Sequence, residues 1–123
     1  MDRRRIDLGD AGEQAAADHL RAAGYGILDL KYRARPGEVD IVAASGDTLV
    51  FVEVKTRRGY GYGTPAEAVT PRKQGKIIAA AQCYMKHHGL YDRPMRFDVI
   101  EVLLAGGRAK INHIENAFGH YGR

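Results

Sequence analysis

The sequence predicts a single α/β domain, a sandwich in which helices flank a mixed β-sheet, with elements in the order αβββαββ. Three observations carry this expectation. Residues 10–24 and 70–89 each read as a helix bracketed by start and stop signals. Runs rich in β-branched and apolar residues fall three before the second helix and two after it. The chain has 123 residues and 45% hydrophobic content, enough for one core and short for two.

Residues 1–9 carry Arg3, Arg4 and Arg5 with no core anchor, and are expected to be mobile. The domain is placed at 10–115. Asp10 reads as an N-cap, and Glu13 three residues later completes a capping box; Ala15, Ala16, Leu20 and Ala23 continue the helix, and Gly24 suits a left-handed cap. Residues 25–32, with Ile27, Leu28 and Leu30, form the first strand. A basic loop, Arg33-Ala34-Arg35-Pro36-Gly37, leads into a β-hairpin over 37–55 that turns at Gly46-Asp47. Residues 56–65 interleave glycines with Tyr60 and Tyr62, as in a mobile connection. Thr70 is the N-cap of the second helix and Pro71 its first residue. Ile77, Ile78, Ala81 and Met85 are expected to pack on the apolar face of the sheet. Residues 95–104 read as a strand buried on both faces, Gly106-Gly107 as a turn and 108–114 as the last strand. Residues 116–123 are expected to form a mobile tail.

The hairpin places charged side chains within two apolar strands. With Gly46 and Asp47 as loop residues, Asp40 lies opposite Glu53 and Glu38 opposite Lys55. Strand alternation then sends Glu38, Asp40, Val42, Phe51, Glu53 and Lys55 to one face. Val39, Ile41, Ala43, Val50, Val52 and Val54 form the other, wholly apolar, face. One face is read as core and the other as chemistry. Opposed residues have Cβ atoms roughly 4.5–5.5 Å apart, close enough for two carboxylates to share a divalent cation at Mg–O distances of about 2.0–2.1 Å. In this reading Asp40 and Glu53 hold Mg²⁺ or Mn²⁺, and Val54 adds its backbone carbonyl. Lys55 positions a water or stabilises developing charge. Glu38 completes the water shell or holds Lys55. The competing reading is a half-exposed hairpin whose charged face is solvated, with Glu38–Lys55 as a surface ion pair.

The net charge of +4 is modest, but the basic residues cluster. Arg33, Arg35, Arg57, Arg58, Arg72, Lys73 and Lys76 flank the hairpin's charged strands, as suits a polyanion held near carboxylates. Tyr60 and Tyr62 can stack on unpaired bases. For any one cluster an ordinary solvated surface is the competing explanation. No apolar run approaches the ~20 residues of a membrane span, and an amphipathic helix follows the arginine-rich start, so a cytoplasmic protein is expected. The lone Cys83 is assigned to helix packing, and His87 and His88 to the helix dipole.

Asp40 followed by Glu53-Val54-Lys55, within this order of elements, resembles the PD-(D/E)XK nuclease superfamily, whose members share the restriction-endonuclease-like fold. Gly12-Glu13, Gly37-Glu38-Val39-Asp40, the 51–57 segment and Arg96-Phe97-Asp98-Val99 resemble the YraN-like family of uncharacterised bacterial proteins, over about residues 8–118. The arrangement is similar to archaeal Holliday junction resolvases, which also use a glutamate from the first helix. That resemblance implies a catalytic set of Glu13, Asp40, Glu53 and Lys55, dependence on Mg²⁺ or Mn²⁺, and a homodimer. The partner expected is nucleic acid, with DNA favoured over RNA and the choice between them left open, and the lack of a long apolar run leaves no membrane partner expected. Pro36 departs from the superfamily pattern, standing four residues before Asp40 rather than beside it. The function expected is a metal-dependent endonuclease hydrolysing phosphodiester bonds, including those of branched or junction DNA in repair and recombination. The alternatives are a nucleic-acid-binding module of the same fold with little activity, working in a larger complex, and an interaction protein that binds no nucleic acid.

Overall fold

The computed structural model describes residues 8–59 and 69–119. Helix α1 (Leu8–Ala22) is followed by strands β1 (Gly26–Arg33), β2 (Glu38–Ser45) and β3 (Thr48–Arg58), helix α2 (Pro71–His88), and strands β4 (Met95–Ala105) and β5 (Arg108–Phe118). The strands form one five-stranded sheet in sequential order. Strands β3 and β4 run parallel, and every other pair is antiparallel. A parallel pair cannot be closed by a tight turn, and α2 lies in the crossover between its two strands. The α/β class, the mixed sheet and the element order are those expected.

Local signals set the helix ends. Thr70 Oγ1 accepts the Lys73 backbone N–H at 3.2 Å, Pro71 occupies the first turn, and Gly89 closes α2 in the left-handed region at φ 64°. The capping box proposed for Asp10 and Glu13 is not formed, because α1 begins at Leu8 and Asp10 already lies in its first turn. Both carboxylates instead meet Lys31 Nζ, Asp10 at 3.2 Å and Glu13 at 2.8 Å. At the other end β5 runs to Phe118, past the expected boundary at 115. Phe118 is buried and stacks on Phe97 with ring centroids 5.1 Å apart, so apolar burial carries the strand onward. Most of the expected N-terminal mobile segment, and residues 120–123 of the expected tail, lie outside the described residues.

The assignment of one hairpin face to core and the other to chemistry is corrected by the structure. Ile41, Ala43, Val50 and Val52 pack with Ala16, Ala17 and Leu20 of α1 and with Ile100 and Val102. Val42 and Phe51, expected on the charged face, lie beneath Ile77, Ala80, Ala81 and Tyr84 of α2 with Leu49, Phe97 and Val99. Helix α2 therefore covers the opposite face from the one expected. The reason is topological: the crossover helix claims one face and α1 the other, so the paired part of β2 and β3 is covered on both sides and polar groups emerge only where that pairing ends.

Two glycines let the helices close on that end of the sheet. A Cβ on Gly12 would meet Thr56 Oγ1 of β3, and one on Gly37 would sit 2.6 Å from the Lys76 carbonyl oxygen of α2.

Asp98, fully buried on β4, anchors the far side. It accepts hydrogen bonds from Arg96 Nε at 3.0 Å and Nη2 at 3.1 Å, and from the Asn116 backbone N–H at 2.9 Å. Its Oδ2 also lies 2.7 Å from His113 Nε2, whose Nδ1 is 3.2 Å from His19 Nε2 on α1. Asn116 has φ 53°, and the β4–β5 register shifts between Phe97 and Val99, so the carboxylate replaces a ladder partner where β5 bulges. Burial alone would raise this carboxyl, but the His113, Arg96 and Asn116 hydrogen bonds outweigh it and hold it below its ordinary value of 3.8. The stabilisation it supplies is present above that pH and is lost as acid protonates the group. Asp98→Asn is expected to lower the unfolding free energy by about 2–4 kcal/mol near pH 7, with the deficit shrinking in acid, as measured by urea denaturation across pH.

Candidate active site

The β2–β3 hairpin pairs in the expected register, from Ser45↔Thr48 to Ile41↔Val52 about the Gly46-Asp47 turn. Beyond Ile41 the ladder stops. Asp40 Oδ2 accepts the Val54 backbone N–H at 2.8 Å, so a side chain takes the place of a strand carbonyl. Alternation breaks at this point, and Val39 joins Val42 beneath α2. Glu38 is thereby carried away from β3: it pairs with Arg33 at 2.7 Å, and the expected Glu38–Lys55 pair is not made.

A cavity of about 300 Å³ opens where the strands part, beneath the first turns of α2. Glu13 enters it from α1, Glu38 and Asp40 from β2, Glu53, Val54 and Lys55 from β3, and Lys73 and Lys76 from α2, with Glu38 at the margin on Arg33. Glu53 is 7% exposed, and its Oε2 lies 3.6 Å from Lys55 Nζ and 3.5 Å from Lys73 Nζ. Lys31 Nζ holds Glu13 at the rim, and does so from a left-handed backbone conformation, φ 54°. Such a conformation is uncommon for a residue other than glycine, asparagine or aspartate.

The electrostatics reflect a crowded pair of carboxylates. Burial pushes Asp40 up to about 7, and the nearby charge of Glu53 adds to the effect, against the Val54 hydrogen bond. Burial likewise raises Glu13, opposed by its hydrogen bond with Lys31. Lys55 is held below its ordinary range by burial, with the Lys73 ammonium reinforcing the shift. Two close carboxylates, one of them made costly to ionise by burial and by the other's charge, offer hard oxygen donors that a cation would relieve. Among the described residues no three His, Cys, Asp or Glu side chains form a ready metal cage. Any cation here would rely on Asp40 and Glu53 with backbone oxygen and water. Val54 is placed for this, because a strand residue's N–H and C=O leave the same edge and its N–H already points to Asp40.

The structure thus brings Glu13, Asp40, Glu53, Val54 and Lys55 together, and Lys73 with them. Lys76 is at the same opening, whereas Arg33 is tied to Glu38 and Arg57 to Glu101 on β4. Arg35, Arg58 and Arg72 are exposed. Tyr60 and Tyr62 lie outside the described residues. Lys31 was not among the candidate residues, and nothing local in the sequence marks it: only the β1–β2 register, in which Leu30 pairs with Ile41 and Tyr32 with Val39, brings it alongside Asp40. No helix among the described residues is long and apolar enough to cross a membrane.

A mixed α/β sheet with acids and lysines converging where two central strands separate defines a class of protein, and sequence comparison gives the family. The family model described as "Uncharacterised protein family UPF0102" matches residues 12–102, and the chain belongs to that family. UPF0102 proteins of Syntrophomonas wolfei and Symbiobacterium thermophilum are 48% and 51% identical to it, covering 91% and 90% of this chain and 97% and 95% of their own. One from Geobacter sulfurreducens is 52% identical, covering 90% of this chain and 88% of its own. Among solved structures, the fold is similar to that of the Holliday junction resolvase Hjc of Archaeoglobus fulgidus, with TM-score 0.46 and 18% identity over 84% of this chain and 72% of that one.

Because burial holds the Asp40 proton more tightly in the folded chain, folding takes up a proton between pH 3.8 and about 7. Stability therefore falls as pH rises through that window. Asp40→Asn, which keeps an oxygen for the Val54 N–H, is expected to stabilise the protein by about 1–4 kcal/mol at pH 8 and by much less at pH 4. Thermal or urea unfolding at the two pH values measures the difference.

Proposed function

We propose that this chain is a metal-dependent nuclease that hydrolyses phosphodiester bonds in nucleic acid. The observation that supports it most is the meeting of Asp40 and Glu53 with Lys55 in one enclosed opening between strands. Binding a polyanion alone gives no reason to enclose carboxylates there, since they repel phosphate.

In this reading Asp40 and Glu53 hold a divalent cation, Mg²⁺ or Mn²⁺, with the Val54 carbonyl beside them. Bound there, the cation supplies Lewis-acid polarisation of a phosphoryl oxygen and a water of lowered pKa. The Val54 N–H fixes Asp40 before any ligand arrives, so the site requires little reorganisation. Lys55, on the strand floor and largely shielded from solvent, orients the attacking water or meets charge developing on the phosphoryl oxygens. Glu13 adds a further carboxylate at the rim, steadied by Lys31. Exposed Arg35, Arg72 and Lys76 contact the flanking phosphates. DNA is the substrate proposed from the resemblance carried by Glu13, Asp40 and Glu53-Val54-Lys55, with branched or four-way-junction DNA as its finer form. Symmetric cutting of such a junction requires two sites, and hence a homodimer.

Two measurements test the proposal. With Mg²⁺ or Mn²⁺, wild type is expected to cleave at least one member of a panel of linear, single-stranded, flapped and four-way-junction DNA. Glu53→Ala and Lys55→Ala should each lose about 10²-fold or more of the single-turnover rate. A folded wild type that binds the panel without cutting it would favour the binding module instead. Separately, millimolar Mn²⁺ is expected to raise the thermal midpoint of wild type while leaving Glu53→Gln unmoved.

A further inference from the structure

Glu53 Oε2 carries two ammonium groups in this structure, Lys55 Nζ at 3.6 Å and Lys73 Nζ at 3.5 Å, and they come from opposite walls of the cavity. Lys55 belongs to β3 and its side chain is 20% exposed; Lys73 belongs to α2 and its side chain is 49% exposed. The first therefore forms the floor and the second the mouth. The neighbouring acids are already paired, Glu13 with Lys31 and Glu38 with Arg33. Asp40 and Glu53 thus remain facing Lys55 and Lys73, with Lys76 one turn further along α2 at the same opening.

That balance changes when a divalent cation takes the two carboxylates. Their charge is then satisfied, and the lysines are left in excess within a confined space. A phosphodiester brings one negative charge and gains more as its phosphorus is attacked, so it is the anion that restores neutrality. The backbone of Lys73 is held by the Thr70 Oγ1 contact at 3.2 Å, and the Gly37 approach to Lys76 fixes that turn of α2 against the sheet. Only the exposed end of the side chain has to move.

We propose that Lys73 is a second phosphate-binding residue of the site: it holds Glu53 while no cation is present and passes to a non-bridging oxygen of the scissile phosphodiester once one is bound. This rests on the nuclease reading above. It adds a residue that couples cation binding to substrate binding, and makes the cation a competitor of Lys73 for Glu53. Removing the lysine should therefore help the cation and harm the reaction, opposite signs that a merely structural role would not produce.

The test uses the full chain as wild type, Lys73→Gln and Lys73→Arg, with Lys86→Gln, at the far end of α2, as a control for one lost charge. Mn²⁺ affinity is measured without DNA by calorimetry, and single-turnover cleavage is measured on the best substrate of the panel. Lys73→Gln is expected to bind Mn²⁺ about 3–10-fold more tightly and to cleave about 10–100-fold more slowly, with Lys73→Arg recovering part of the rate and Lys86→Gln matching wild type. Cleavage by Lys73→Gln within twofold of wild type, or Mn²⁺ binding that is unchanged or weaker, would overturn the role of Lys73 alone. A wild type that binds Mn²⁺ and cleaves nothing would overturn the nuclease reading and this role with it.

Discussion

Coverage of β2 and β3 on both faces is the constraint on which the rest depends. With α1 on one side and α2 on the other, the paired part of the hairpin admits only apolar side chains, and charge is pushed to where that pairing ends. There Asp40 leaves the ladder and satisfies the Val54 N–H with its own carboxylate. This single exchange ends the β2–β3 pairing, opens the cavity and turns Glu38 toward Arg33. It also buries a second carboxylate close to Glu53, which is why Asp40 gives up its proton with difficulty. Without a cation such a site costs stability, as functional sites commonly do.

A second aspartate, fully buried, uses the same device two strands away on β4. Asp98 accepts the Asn116 N–H where β5 bulges, as Asp40 accepts that of Val54. The difference lies in their partners. Asp98 meets Arg96 and His113 and is held ionised, so it strengthens the fold, whereas Asp40 meets Glu53 and is strained. Equivalent backbone roles thus diverge into an anchor and a candidate reactive group according to the sign of the nearest side chain.

Much of this was legible in the sequence, and the limits follow from range. The helix cap at Thr70, the extent of α2 and the hairpin turn at Gly46-Asp47 depend on neighbours in sequence, and each was found. Extending the hairpin register to Glu38 failed because alternation gives no sign of where a side chain will replace a ladder carbonyl. Asp10 and Glu13 carry the pattern of a capping box, but an earlier helix start frees both for Lys31, a partner across the fold. Glu13 itself was placed in the site by family resemblance rather than by any local signal. The Asp98 cluster draws on α1, β4 and β5, with His19 and His113 far apart in the chain, so no window of sequence contains it. The assignment of α2 to a face failed because its apolar residues mark a buried side without saying which face of the sheet they meet, and the packing decided between them.

The most direct test is a crystal soaked in Mn²⁺ and examined by anomalous scattering. A peak bridging the carboxylates of Asp40 and Glu53, with the Val54 carbonyl in its coordination sphere and Lys73 withdrawn from Glu53, is the result expected. A fully occupied soak with no peak between those carboxylates, and Lys55 and Lys73 still seated on Glu53, would contradict it and leave the acids as an ion-paired end of the sheet.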